Sequence, residues 1–170
     1  MSMMAAAPPG DVYGHLRDLF RTAGVWHRYI DHPPEGRTGP ATELRGHRLS
    51  QAAKCLVVEV AIGRRRAVHA LAVVGGHRQV DLSRVRDALG GRKAFVAARD
   101  TAERLTGCVS GAIVPFALCA GLRLLLDHDL LGEPVLYFNA ARLDRSVALS
   151  LRDYVSLAAP QVERIAAVPA

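Results

Sequence analysis

The chain has 170 residues, half of them hydrophobic, with a formal net charge of +6 and an isoelectric point near 9.8. That composition excludes a disordered protein and supplies enough apolar surface for a core without disulfides or a metal, while no apolar run approaches the roughly 18 residues of a membrane span. The positive balance permits a polyanionic partner without requiring one, because an ordinary solvated basic surface has the same composition.

Residues 1–10 are uncharged and rich in Ala and Pro, and are expected to form a flexible leader. They lack the basic start and apolar stretch of a secretory signal, which leaves a cytoplasmic protein as the default. Residues 11–170 are expected to form a single domain. Val12, Leu16, Leu19 and Phe20 recur at helical spacing, with Asp11 as N-cap and Gly24 as stop. A short strand over 25–30 then meets the turn His32-Pro33-Pro34-Glu35-Gly36. Thr38 is placed to cap a short helix through Leu44, closed by Gly46. The runs 55–62 and 67–74 are strand-like and flank Gly63-Arg64-Arg65-Arg66, which predicts a hairpin with a basic tip.

Further on, 81–89 reads as a helix ending at Gly90-Gly91, and 94–97 as a strand. Asp100 and Glu103 have the spacing of a capping box on another helix. Strands are expected over 122–126, 134–138 and 146–149, a helix over 152–158 and a marginal last element over 162–168. This order predicts an α/β (mixed α+β) fold: a curved mixed sheet, largely antiparallel, flanked by helices.

Two features carry chemical information. The first is the loop 105–118, which contains no acidic, basic or histidine side chain and is punctuated by Gly107, Gly111 and Pro115. Such a segment presents backbone N–H groups, which hold a carbonyl oxygen or an anion well. The second is Lys54, one of two lysines against 20 arginines. A lysine in that background fits a position that needs a compact ammonium rather than a guanidinium, although a strand-start lysine with its head in solvent has the same local sequence. By strand parity Lys54 shares a face with Leu56, Val58 and Val60.

Other chemistries fare poorly. Cys55, Cys108 and Cys119 form no CxxC pair, and no two of the seven histidines have HxxxH spacing, so no metal site is expected. Ser110 and Cys108 lack both a GxSxG elbow and a local base. A phosphate loop of the Walker type fails because Ala112 follows Gly111 where Lys is required. Asp127 with Asp129, and Asp144 with Asp153, are explained more simply as turn and cap residues. What remains is a reaction needing no strong side-chain acid or base, such as hydrolysis of an activated ester.

Three segments in order, Gln51-Ala-Ala-Lys54, Thr106-Gly-Cys-Val-Ser-Gly-Ala-Ile-Val-Pro-Phe116 and Phe138-Asn-Ala-Ala-Arg-Leu-Asp-Arg-Ser146, resemble the YbaK family, also called the prolyl-tRNA synthetase associated or editing-insertion domain family. The chain looks most like its YeaK-type free-standing deacylases over nearly its whole length. The resemblance implies trans-editing, the hydrolysis of the ester joining a wrong small amino acid (Ser, Thr or Ala class) to tRNA. It implies a catalytic Lys54, a GxxxP loop of Gly111, Ala112, Ile113, Val114 and Pro115 around the aminoacyl carbonyl, and help from the substrate's ribose 2′-hydroxyl. The implied partners are the aminoacylated 3′ end of tRNA and an aminoacyl-tRNA synthetase, with no membrane and no cofactor. Some relatives carry a histidine inside this loop; here its place is taken by Ala112, Ile113 and Val114.

Overall fold

Asp11 opens the first helix of a computed structural model that describes residues 10–169; apart from Gly10, the expected leader lies outside the described residues. The Asp11 carboxylate accepts the Gly14 N–H at 2.8 Å, α1 runs Val12–Ala23, and Gly24 ends it in the left-handed region at φ 64°. Then follow β1 (His27–Asp31), α2 (Thr38–Arg45), β2 (Ala53–Ala61), β3 (Ala67–Gly75), α3 (Leu82–Ala88) and β4 (Lys93–Val96). The chain continues through α4 (Arg99–Thr106), β5 (Leu122–Asp127), β6 (Val135–Asn139), β7 (Arg145–Ser150), α5 (Leu151–Ala158) and β8 (Gln161–Glu163). Among the described residues no helix is long and apolar enough to cross a membrane.

Two expected caps are displaced. Arg37, not Thr38, is the N-cap residue of α2, and Ala98, not Asp100, precedes α4. Glu103 therefore caps nothing at its own helix start. Its carboxylate instead accepts the Ser110 N–H at 2.9 Å and pins the apolar loop to α4.

The fold is mixed α/β and mostly antiparallel, as the element order predicts, but the strands divide into two sheets instead of one curved sheet. One has the order β1-β7-β6 and the other β4-β2-β3-β5-β8. Pairing is antiparallel except where β5 lies parallel to β3 and to β8. A parallel bridge from Ala52 to Tyr137 ties the sheets together at one point.

Side-chain parity explains the division, since each face of the β2–β3 hairpin buries a different core. Val57, Leu71 and Val73 face the three-stranded sheet and pack with Leu136, Phe138, Val147, Leu149 and the α1 residues Leu16 and Phe20. Val58, Val60, Ala70, Ala72 and Val74 face the other way, against Val85 of α3 and Ile165. The apolar loop contributes Cys108, Val114, Phe116 and Leu118 to the first core, which anchors it. At the end of β5, the 3 % exposed Asp127 carboxylate accepts the N–H groups of Asp129, Ile165 and Ala166 and fastens the C-terminal segment.

Candidate active site

A cleft of about 210 Å³ opens where β2 begins, bounded by Gly36, Arg37, Thr38, Ala41 and Arg45 on one side and by Ala53, Lys54, Cys55, Gly111, Ile113, Phe138 and Asn139 on the other. Two glycines create it. Gly111 has φ 89°, and a Cβ there would stand 2.7 Å from the Gly36 Cα and 2.9 Å from its carbonyl oxygen, so the loop before α2 and the apolar loop touch backbone to backbone. Asn139 at the end of β6 locks the junction, because its Nδ2 donates to the carbonyls of both Glu35, at 2.8 Å, and Gly111, at 2.9 Å.

Of the five GxxxP residues, Gly111 and Ile113 line the cleft. Ala112, Val114 and Pro115 are buried behind that wall and do not line it. The Ala112 N–H closes a turn onto the Val109 carbonyl at 3.0 Å, and the Pro115 carbonyl accepts from Tyr154 Oη at 2.7 Å. Among the described residues, no protein acceptor meets the Gly111 or Ile113 N–H. Both loop residues that line the cleft thus have an amide to spare, as does the buried Val114 behind them.

Lys54 also lines the cleft, at the end of the face it shares with Leu56 and Val58. Its Nζ donates to the Arg78 carbonyl at 2.8 Å, and burial lowers its pKa from the usual lysine value. One ammonium hydrogen is thereby fixed, and two remain for a ligand. Arg78 itself is held by Asp129 Oδ2 and the Ala167 carbonyl, each at 2.8 Å, so the carbonyl that orients Lys54 is on a braced segment.

The cleft's charged lining is entirely cationic: Arg37, Arg45 and Lys54. Arg37 is neutralised by Glu35, which takes its Nε at 2.9 Å and its NH2 at 3.0 Å and whose own pKa falls to about 2. Arg45 is held by neutral groups. Its Nε donates to His47 Nε2 at 3.0 Å, and its NH1 to Ser146 Oγ at 3.1 Å and Asn139 Oδ1 at 3.4 Å. The accepting Nε2 leaves the His47 proton on Nδ1, which donates to the Arg48 carbonyl at 2.8 Å, while the ring stacks on Tyr137 at 3.8 Å. Burial lowers His47 to about 4 and Arg45 to about 10. Ser146 Oγ donates to Asn139 Oδ1 at 2.9 Å and lies 2.7 Å from His32 Nε2, completing a network that joins β6, β7, α2 and the His32 turn.

This α2 wall is what sequence reasoning misses. Arg45 is one of 20 arginines with nothing local to single it out, whereas Asn139 and Ser146 stand inside the third family-like segment. A cysteine nucleophile finds no support: Cys108 is 3 % exposed, its Sγ points to the Thr106 carbonyl at 3.5 Å, and burial pushes its thiol pKa up.

The fold and cleft define a class: a two-sheet α/β protein with a small cationic pocket walled by unpaired backbone amides. Solved structures of the same shape include hypothetical protein APE2540 (TM-score 0.80, 20 % identity, 89 % of this chain and 99 % of that one). Another is a protein proposed as a trans-editing enzyme for prolyl tRNA synthetase (TM-score 0.76, 22 % identity, 93 % and 98 %). In sequence, residues 32–157 match the aminoacyl-tRNA editing domain, and the chain belongs to that family. Among its relatives are the proteins named multifunctional Ser/Thr-tRNA deacylase ProXp-y of Escherichia coli K12 and of Escherichia coli O157:H7. Each is 38 % identical over 145 residues, covering 85 % of this chain and 86 % of the relative.

Proposed function

We propose that this protein is a trans-editing hydrolase that cleaves the ester between a small amino acid, of the Ser, Thr or Ala class, and the 3′ end of a mischarged tRNA. The observation that carries the reading is the pair of unpartnered amides, Gly111 N–H and Ile113 N–H, in a pocket of about 210 Å³. Membership of the editing family, with relatives named Ser/Thr-tRNA deacylase, supports the same reaction here. In this account the two amides stabilise the oxyanion that forms when water attacks the ester carbonyl. Lys54 engages the terminal ribose, phosphate or aminoacyl group and positions it. The ribose 2′-hydroxyl assists the attack, which fits a lining without a carboxylate.

The partners in this reading are aminoacylated tRNA and an aminoacyl-tRNA synthetase that releases it, in the cytoplasm. Purified protein is expected to release amino acid from Ser-tRNA, Thr-tRNA or Ala-tRNA, and Lys54→Ala to abolish the release. Salt-sensitive tRNA binding that ignores charging status, with no release from any of the three esters, would favour a non-catalytic tRNA-binding module instead.

A further inference from the structure

Buried cations are ordinarily matched by a carboxylate, because an uncompensated charge in a low-dielectric setting is costly. Arg45, half-buried in the cleft wall, departs from this rule. Among the described residues no carboxylate lies within 4 Å of its guanidinium, and every acceptor it has is neutral: His47 Nε2, Ser146 Oγ and Asn139 Oδ1. Glu35 is committed to Arg37, and Glu133 to Arg48. Those neutral acceptors take Nε and NH1 and fix the plane of the guanidinium, while NH2 has no protein acceptor and the residue borders the cleft. A guanidinium fixed through Nε and NH1, with NH2 free and no counter-charge, is a receptor for an anion supplied from outside.

The chemistry of the substrate identifies that anion. Within one nucleotide of the scissile ester there is a cationic α-ammonium, a neutral ester, a neutral ribose, a neutral base and a single anionic group, the 5′-phosphodiester of the terminal adenosine. We propose that Arg45 is the binding site for this phosphodiester and sets the register that brings the ester carbonyl to the Gly111 and Ile113 amides. The inference rests on the deacylase reading and deepens it, dividing the labour between Arg45, which takes phosphate, and Lys54, which takes aminoacyl or ribose oxygens. The neutral state of His47 belongs to the same design, since an unprotonated Nε2 is what accepts the Arg45 Nε–H.

The test compares two small substrates, 3′-O-seryl adenosine and its counterpart bearing a 5′-phosphate methyl diester. Wild-type protein is expected to favour the phosphodiester in kcat/KM by on the order of 10- to 100-fold, the range of a charge-assisted hydrogen bond. In Arg45→Gln that ratio falls towards one, and Arg45→Lys restores part of it. A wild-type ratio near one, or a ratio unchanged in Arg45→Gln, overturns the proposal. Binding of adenosine 5′-monophosphate against adenosine, by calorimetry, provides a readout independent of hydrolysis. A wild-type preference for the monophosphate that Arg45→Gln loses supports the phosphate site even if neither ester is cleaved, the outcome in which only the deacylase reading fails. Equal binding of the two by wild-type protein overturns the site even where hydrolysis is intact, and this arm needs no stable variant.

Discussion

Lys54 works, in this account, through what an ammonium does and a guanidinium cannot: it turns one hydrogen to the Arg78 carbonyl and leaves two in a narrow space. Lys54→Arg is therefore expected to lose activity nearly as completely as Lys54→Ala while leaving the thermal midpoint within a few degrees, measured by deacylation and melting of the same preparations. Full activity in Lys54→Arg would mean that only charge matters there. His47 is the pH-sensitive residue. Its folded pKa of about 4 lies below the ordinary 6.5, so the unfolded chain binds the proton first as pH falls. Its contribution to stability is complete above pH 6.5 and is lost progressively as pH drops from 6.5 to 4. Urea unfolding across that window should show stability falling with pH in the wild type and a flatter dependence in His47→Gln. Glu35, held at about 2 against an ordinary 4.5, adds its own loss below pH 4.5, which the variant leaves in place.

At the scale of elements, the apolar loop is a wall held from three sides: Glu103 takes the Ser110 N–H, Asn139 the Gly111 carbonyl and Tyr154 the Pro115 carbonyl. Gly111→Ala should drive a methyl into the Gly36 backbone at a left-handed φ, costing about 2–3 kcal/mol of stability and most of the activity. Gly36→Ala, whose added Cβ would meet Gly111 Cα and Leu143 Cδ2 at 3.3 Å, is expected to be milder in both. Equal effects would show that the contact between the loops does not shape the cleft. Asp127 is the corresponding structural pin. Asp127→Ala leaves three backbone N–H groups without their acceptor, and chemical denaturation should register a loss of about 3 kcal/mol.

The same elements show what a sequence discloses. Helix α1 was legible because Asp11 and Gly24 are local signals, and the hairpin of β2 and β3 because nine-residue apolar strands meet at Gly63 and three arginines. Asp100 and Thr38 misled because a cap depends on where the chain enters the helix, which tertiary contacts decide. The division into two sheets was not legible, since the pairing of β1 with β7 spans more than 100 residues and leaves no local mark. For the site, the loop and Lys54 stood out by composition. Arg45 did not, because its meaning lies in the absence of a carboxylate partner, which only three dimensions reveal.

Across the whole molecule, two cores pack on opposite faces of one hairpin, with the cleft at the end where β2 begins and the arginine tip at the other. Nine residues of strand separate those ends, about 27 Å at the usual rise. The cationic lining of the cleft and the net charge of +6 imply that apparent affinity for tRNA falls steeply with salt, with a log–log slope reporting the phosphates neutralised. The central claim is that backbone amides beside Lys54 hydrolyse an aminoacyl ester. Single-turnover deacylation of Ser-tRNA and Thr-tRNA tests it most directly. The account predicts release far faster than spontaneous hydrolysis in the wild type, and release at the spontaneous rate in Lys54→Ala and when the terminal adenosine lacks its 2′-hydroxyl. Wild-type release indistinguishable from spontaneous hydrolysis on both substrates would contradict it.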